Sequence, residues 1–198
     1  MQALIIVDVQ NDFLPGGALA VNNGDQVIPF INMIQKKFDL IIATQDWHPA
    51  AHESFASNHH DRNIGEVIEL HGISQVLWPD HCVAGTHGAE FSSDLDQTRI
   101  NNVFRKGNQL HVDSYSGFFD NDHKSSTGLH EFLQSQGITN IVIVGLATDY
   151  CVKFTALDAI NLGYDVTVLS EGTRAVNLSP GDGENAKLDM KKAGIKIK

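Results

Sequence analysis

The sequence predicts an α/β fold, a doubly wound and mostly parallel sheet of about six strands with helices on both faces. Apolar, β-branched runs without alternation, as at residues 3–7 and 141–144, are typical of strands buried on both faces. Segments with apolar residues at helical spacing separate these runs, and strands that alternate with helices form parallel sheets with right-handed crossovers. A chain of 198 residues fits one such domain, so residues 1–198 are expected to form a single domain.

The first half of the chain begins with a strand over residues 3–7. A helix is predicted over residues 25–38, where four apolar side chains recur at helical spacing: Val27, Ile28, Ile31 and Ile34. A second strand follows over residues 40–44. Residues from about 46 to 99 are rich in His, Gly and Ser and form a long excursion. Loops of this length in compact domains are usually functional or disordered, and we expect this one to carry site residues.

The second half of the chain alternates more regularly between predicted strands and helices. Thr148 is expected to cap the helix that follows residues 141–144, and Gly163 to end it. This cap would put Cys151 in the first helical turn, where the helix dipole favours a thiolate. The remaining predicted elements are a third strand over 102–104, a helix over 128–136, a strand over 165–169, a helix over 184–193 and a lysine-bearing edge strand over 195–198.

Composition narrows the possible partners and the compartment. A net charge of −10 argues against binding nucleic acid or anionic membranes, which require clustered Lys and Arg. No apolar run approaches a membrane span, and the start of the chain lacks the features of a signal peptide. Two cysteines make a poor disulfide framework and fit a reducing compartment, so a cytoplasmic location is expected. Assembly into a homo-oligomer stays open.

Four reactive side chains come directly after apolar runs: Asp8, Asp46, Lys106 and Cys151. Because ligands of parallel sheets bind beyond the carboxyl ends of the strands, we expect these groups to meet at one edge. Cys151 could then be a nucleophile, with Asp8 as its base and Lys106 keeping Asp8 ionised. A structural Asp–Lys ion pair beside an inert cysteine is the alternative, and spacing alone does not decide between them.

The Asp46-Trp47-His48 sequence predicts a metal site. Seven of the ten histidines lie between His48 and His87, and imidazole with carboxylate is a usual ligand set for a divalent transition metal. His52 and His81 are further candidate ligands. Histidines are also often structural or solvated, so that alternative stays open, and Cys82 is either a thiolate ligand or a packed core residue.

The motifs, taken together, resemble one family. They are VDVQNDF with Asp8, TQDWHP with Asp46 and His48, WPDHCVAGTHGAEF with His81, FRKG with Lys106, DSYSGFFDN, and GLATDYCVKFTALDA with Cys151. Over nearly the whole chain the sequence resembles the nicotinamidases, or pyrazinamidases, of the isochorismatase-like cysteine hydrolases. Isochorismatase-type relatives lack the cysteine and the metal ligands, whereas both are present here.

The resemblance implies the reaction and the roles of the central residues. Nicotinamide would be hydrolysed to nicotinate and ammonia through a thioester, in NAD salvage, with pyrazinamide as a further substrate. Cys151 would be the nucleophile, Asp8 the base and then the acid, and Lys106 the third member of the triad. The matching metal ligands are Asp46, His48 and His81, for one divalent ion, with zinc ranked first and iron and manganese as alternatives. Whether His52 is a fourth ligand stays open, because relatives use either a side chain or water there.

The resemblance also implies how the substrate is held. Phe13 and Trp78 match the aromatic walls around the ring, with Leu19 and Tyr115 as outer candidates. The Leu146–Ala147 peptide bond matches a bond that is cis in the family. The amides of Ala147 and Cys151 would form the oxyanion hole.

Three other functions were weighed against this one. A metal hydrolase of the same fold could act on another small amide or carbamoyl compound, and a substrate profile would distinguish it. A noncatalytic nucleotide- or metal-binding module is disfavoured because no G-x-G-x-x-G follows the first strand and no phosphate loop is present. Thiol redox chemistry requires Cys-x-x-Cys, which the sequence lacks.

Overall fold

The computed structural model describes residues 2–198. Its centre is a six-stranded sheet in the order β5-β2-β1-β6-β7-β8, in which every neighbouring pair is parallel. The strands of this sheet are β1 (Gln2–Val7), β2 (Leu40–Asp46), β5 (Asn102–Lys106), β6 (Asn140–Leu146), β7 (Asp165–Arg174) and β8 (Lys196–Ile197). The predicted fold class is therefore confirmed.

The direction in which strands are added reverses between β1 and β6. From β1 the chain adds β2 and β5 on one side, and β6, β7 and β8 follow on the other. The connections that leave the carboxyl ends of β1 and β6 therefore diverge and leave a crevice, which is where open α/β sheets bind ligands. Residues Ala3–Val7 of β1 are all buried, because this central strand is covered on both faces.

Four α-helices cover the two faces of the sheet, giving three layers: α1 (Val27–Gln35), α2 (Leu129–Ser135), α3 (Lys153–Asn161) and α4 (Asp182–Lys192). The α1 side chains pack with Leu4 and Ile6 on one face. Side chains of α2, α3 and α4 pack with Ile5 and Val7 on the other. Alternate residues of β1 therefore contribute to two separate cores, as the twofold side-chain period of a strand requires.

Several element boundaries differ from those predicted. The strands β2, β5 and β7 run two to five residues further than the apolar runs, because polar residues at the carboxyl edge keep extended, paired backbone. The helix α1 is shorter at both ends than residues 25–38, with a 3₁₀ turn over Gly24–Gln26 before it. The edge strand β8 is confirmed but spans only Lys196–Ile197.

The excursion contains a small hairpin that the sequence did not resolve. Strands β3 (Val67–Leu70) and β4 (Ile73–Val76) pair antiparallel as a separate two-stranded sheet. A two-residue turn joins them, with both His71 (φ +50°) and Gly72 (φ +85°) in the left-handed region, as a type I′ hairpin requires.

Within residues 2–198, no helix combines the length and apolar character needed to cross a membrane.

Candidate active site

The structure brings the four predicted strand-end groups together. Asp8 follows β1 directly, in a left-handed conformation (φ +48°) that is uncommon outside glycine. Asp46 and Lys106 are the last residues of β2 and β5 and lie opposite each other in the parallel ladder. The Cys151 sulfur lies within 4.8 Å of carboxylate oxygens of Asp8 and Asp46. The crevice beside β1 thus holds a thiol, two carboxylates and an ammonium.

The ammonium of Lys106 contacts each of the other three members of this group. Its Nζ lies 2.9 Å from Asp8 Oδ2 and 3.4 Å from Cys151 Sγ, and it donates hydrogen bonds to Asp46 Oδ1 and, at 2.8 Å, to the carbonyl oxygen of Ser114. The Lys106 side chain is fully buried. A buried charge is tolerated only when it is paired and hydrogen bonded, and both conditions hold here.

Burial and pairing set the protonation of the group. Burial lowers the pKa of Lys106, but Asp46 and Asp8 outweigh it and hold that pKa well above its usual value. Burial raises the pKa of Asp8, with Lys106 opposing, while the Asp46 pKa falls below its usual range because Lys106 and His48 outweigh burial. The ammonium is therefore charged, and Asp8 is the carboxylate with the higher proton affinity.

The segment around Cys151 differs from the prediction. Thr148–Val152 form a single π turn before α3, with the Val152 amide donating to the Ala147 carbonyl at 3.0 Å. Ala147 precedes this turn and Val152 precedes α3, so Thr148 holds the cap position of neither. Burial raises the pKa of the Cys151 thiol well above its usual value, although Lys106 acts in the opposite direction. The expectation of a Thr148 cap is therefore wrong, and burial opposes the thiolate that the predicted helix dipole was expected to favour.

The peptide bond between Leu146 and Ala147 is cis, as expected. Ala147 is buried, lines the same cleft as Cys151, and accepts hydrogen bonds from the amides of Tyr150 and Val152 through its carbonyl. The carbonyl is therefore engaged within the π turn.

Three predicted ligands form one cluster. Nε2 of His48 lies 3.5 Å from Asp46 Oδ2, Nε2 of His81 lies 3.8 Å from the same oxygen, and donor atoms of all three residues lie within 4.8 Å of one another. Nδ1 of His48 donates to the Gly107 carbonyl at 2.7 Å, and Nδ1 of His81 donates to the Pro79 carbonyl at 2.8 Å. Since a carbonyl only accepts, each ring directs its other nitrogen toward Asp46, the arrangement typical of metal-binding histidines.

The chemistry of this donor set fits a divalent cation. Nε2 of His48 is buried and has no hydrogen-bond partner, so it is a polar atom that a metal ion would satisfy. Burial, together with nearby His48, lowers the pKa of His81 to about 4 and keeps that imidazole neutral, as a ligand must be. Burial lowers the pKa of His48, but the nearby carboxylates of Asp46 and Asp113 together raise it by more, so a proton and a metal ion compete for its Nε2.

His52 lies beside this trio with a different hydrogen-bonding pattern. Its ring centroid is 4.5 Å from that of His48, but its Nδ1 accepts from the Ser54 amide at 3.1 Å and its Nε2 lies 3.3 Å from the Val112 carbonyl. With Nδ1 accepting, the ring proton is on Nε2, which therefore points a donor rather than a lone pair at its neighbour. His52 is thus orientated differently from the two other histidines.

A cleft of about 350 Å³ opens in front of Cys151. It is lined by all four residues that the resemblance assigned to substrate binding: Phe13, Leu19, Trp78 and Tyr115. The Trp78 indole donates to the Tyr115 hydroxyl at 3.1 Å. The Phe13 ring lies 5.5 Å from His81, between centroids. The cleft is mainly apolar, as small-molecule sites commonly are, and Cys151, Asp46 and His81 are among its few polar lining residues.

Other lining residues were missed from the sequence. Asp113 is buried and accepts from Gln75 at 3.2 Å, and Tyr150 packs edge-on against Trp78 with a centroid distance of 4.9 Å. Val176 also lines the cleft. Asp113 opens the quoted DSYSGFFDN motif and Tyr150 precedes Cys151 in another, so both could have been found there.

Two polar side chains near the strand ends were also missed. Gln10 donates to the Asp46 carbonyl and accepts from the Asp46 amide, both at 2.8 Å, so it fixes the backbone of a predicted ligand. Thr44 donates through Oγ1 to Asp8 Oδ1 at 2.7 Å. Gln10 lies in the quoted motif VDVQNDF and Thr44 in TQDWHP, each beside a more reactive residue to which a role was assigned.

A doubly wound sheet with a buried thiol, carboxylate and ammonium at its switch point defines a class of α/β cysteine hydrolases. Comparison with known proteins places the chain more narrowly. A family model described as the isochorismatase domain matches residues 2–197, and the chain belongs to the isochorismatase family.

Three similar proteins are described as nicotinamidases or pyrazinamidases. The chain is 47% identical to the nicotinamidase of Escherichia coli over 200 residues, covering 99% of this chain and 93% of that one. The structure of a nicotinamidase and pyrazinamidase from Acinetobacter baumanii matches with a TM-score of 0.96 at 45% identity, over 99% of this chain and 94% of the other. A pyrazinamidase of Pyrococcus horikoshii in complex with zinc matches with a TM-score of 0.81 at 38% identity, over 100% and 98% of the two chains.

Proposed function

We propose that this protein is a nicotinamidase that hydrolyses nicotinamide to nicotinate and ammonia, and that it also accepts pyrazinamide. One observation carries the proposal: the Lys106 ammonium contacts both Asp8 and the sulfur of Cys151, and Cys151 lines a cleft with aromatic walls. The similarity to nicotinamidases over nearly the whole chain supports the same substrate. The product, nicotinate, would enter NAD salvage.

Acylation begins with proton transfer. Asp8 takes the thiol proton of Cys151 as the sulfur attacks the carboxamide carbon, and the raised proton affinity of Asp8 suits it to this step. The amides of Ala147 and Cys151 hold the oxyanion that forms. Asp8 then gives the proton to the nitrogen, the carbon–nitrogen bond breaks, and ammonia leaves a thioester on Cys151.

Deacylation repeats the pattern with water. Asp8 removes a proton from a water molecule, which attacks the thioester carbon, and nicotinate departs as the sulfur regains its proton. Lys106 stays charged throughout, because its pKa is held well above its usual value by Asp46 and Asp8 against the effect of burial. Its positive charge favours both the Asp8 carboxylate and the transient thiolate.

Asp46, His48 and His81 would hold the metal ion, with zinc as the first choice. A bound ion would supply a Lewis acid to orientate and polarise the pyridine ring. We assign three protein ligands and leave His52 outside the set, since its Nε2 lies against the Val112 carbonyl. Zinc with three protein ligands keeps positions open for water or substrate.

The cleft would hold the ring between Phe13 on one side and Trp78 on the other. The hydroxyl of Tyr115 is anchored by Trp78 at 3.1 Å and by Gln75 at 3.2 Å, so the outer wall is fixed before a ligand enters. Leu19 covers the outer edge. Prior positioning of this kind converts binding energy into correct placement of the carboxamide.

Replacing Cys151 by alanine tests the proposal. Ammonia release from nicotinamide should fall to background, while the zinc content and folding of the variant stay at the parent level, because Cys151 is not among the assigned ligands. Cys82→Ala is the matched control, since it removes the other buried thiol and should keep turnover. Parent-level ammonia release by Cys151→Ala would contradict the mechanism, and absence of turnover by the zinc-loaded parent would contradict the substrate.

The compartment and the assembly are separate proposals. Both cysteines are free and buried, which supports a reducing compartment, and we assign the protein to the cytoplasm. Formation of a homo-oligomer stays a prediction, and light scattering of the purified chain measures it directly.

A further inference from the structure

A second group of metal-binding side chains lies on the surface of the excursion, apart from the Asp46 trio. The carboxylate of Glu53 lies between two imidazoles, with Oε2 2.6 Å from Nε2 of His71 and Oε1 2.6 Å from Nδ1 of His111. Donor atoms of the three residues all lie within 4.8 Å of one another. The histidine side chains are 55% and 62% exposed, so solvent ions reach the group directly.

The backbone holds the three side chains in place before any ion binds. His71 occupies the first turn position of the β3–β4 hairpin, where its left-handed conformation is fixed by the ladder on either side. The Glu53 amide donates to the Leu110 carbonyl at 3.0 Å, which fixes Glu53 next to the segment that carries His111. Three segments distant in sequence therefore present their side chains to a single point.

We propose that Glu53, His71 and His111 bind a second divalent transition metal ion, of the zinc class, that is distinct from the ion assigned to Asp46. One carboxylate and two imidazoles form a common three-residue ligand set with positions left for water. Ligand atoms around tetrahedral zinc are roughly 3.3 Å apart, so small side-chain rotations bring the donors into range. Each ring then keeps its proton on the nitrogen facing away from the ion.

The bound ion would join two segments that lead to the cleft wall. The hairpin carries Gln75, whose amide donates to both Asp113 and Tyr115 at 3.2 Å. The chain that carries His111 continues two residues later to Asp113. An ion held by both segments therefore restrains the wall from the outside, without contacting the reacting groups.

Metal stoichiometry tests the site independently of activity. Zinc-saturated parent protein, after removal of free ions, should contain two zinc ions per chain by elemental analysis. The variants His71→Ala and His111→Ala should each contain one and keep turnover of nicotinamide. His87→Ala is the matched control, because it removes an exposed histidine that also pairs with a carboxylate, Glu90 at 3.1 Å, and it should keep two. One ion in the parent, or two in the His71→Ala and His111→Ala double variant, would overturn the proposal.

Hydrogen exchange tests the restraint. In parent protein whose Asp46 centre is already filled, added zinc should slow amide exchange in residues 67–76 and 108–113. The same addition should leave exchange unchanged in His71→Ala. Equal exchange with and without zinc in the parent would overturn the claim that the ion holds these segments together.

Discussion

The hydroxyl of Thr44 lowers the proton affinity of Asp8, and replacing Thr44 by valine tests that role. Its Oγ1 donates to Asp8 Oδ1 at 2.7 Å, and both residues are fully buried. This hydrogen bond favours the ionised carboxylate and lowers the pKa of Asp8 against the larger effect of burial. A hydrogen bond to a charged group contributes about 1.5–3 kcal/mol, and one pKa unit corresponds to about 1.4 kcal/mol. Thr44→Val should therefore raise the Asp8 pKa by roughly 1–2 units.

The pH profile of kcat/KM for nicotinamide measures this shift. Because the base must be ionised in the free enzyme, its acid limb should move to higher pH by about the same 1–2 units. Unfolding in urea at neutral pH should show a loss of about 1.5–3 kcal/mol, which shrinks as falling pH protonates Asp8. Thr44→Ser, which keeps a hydroxyl, should restore the parent profile.

A matched control separates this effect from simple loss of stability. Thr155 is also fully buried, and its Oγ1 accepts from the Gly117 amide at 2.8 Å without contacting Asp8. Thr155→Val should lower the free energy of unfolding while leaving the acid limb in place. An unshifted acid limb in Thr44→Val, or an equal shift in Thr155→Val, would refute the reasoning.

Two further predictions concern the metal trio and the surface. Gly107→Ala should weaken zinc binding at the Asp46 centre at least about tenfold in a chelator competition, because a Cβ at this position overlaps the His48 ring. Gly163 also has a positive φ, but the space around it is open, so Gly163→Ala should bind zinc like the parent. The exposed His123 pairs with Asp158 at 3.0 Å, and this contact raises the pKa of His123. His123→Ala should therefore lower the free energy of unfolding by at most about 1 kcal/mol at pH 5, where the imidazole is charged, and by nothing at pH 9. An equal cost at both pH values would show that the ion pair is not the cause.

The positions of the central groups could be predicted because the sequence shows where the buried strands end. An apolar, β-branched run ends where buried backbone reaches the sheet edge, and parallel strands bring all such ends to the same side. This reasoning placed Asp8, Asp46, Lys106 and Cys151 together, and the structure does so within a few ångströms. Their chemical roles come from the family resemblance and stay predictions.

The remaining features depend on geometry that no spacing rule encodes. The π turn before α3 follows from one shifted hydrogen bond, from Val152 to Ala147, which leaves the apolar pattern unchanged. The raised pKa of the Cys151 thiol follows from burial, which outweighs the effect of the ammonium beside it. Asp113 opens a quoted motif, but that motif lies in an irregular loop, and its position beside the cleft follows from the path of the folded loop.

Different parts of the structure position the reacting groups and the side chains expected around the substrate ring. The thiol, the base and the ammonium stand on or next to strands of the central sheet. Trp78 and Tyr115 contact each other and the Tyr150 ring, and the Tyr115 hydroxyl also accepts from Gln75 of the small hairpin. Part of the cleft wall therefore stands on a segment outside the central sheet. Exchanging residues 67–78 between amidases of this architecture would alter that part of the wall, including Trp78, and would leave the sequence of the strand ends unchanged.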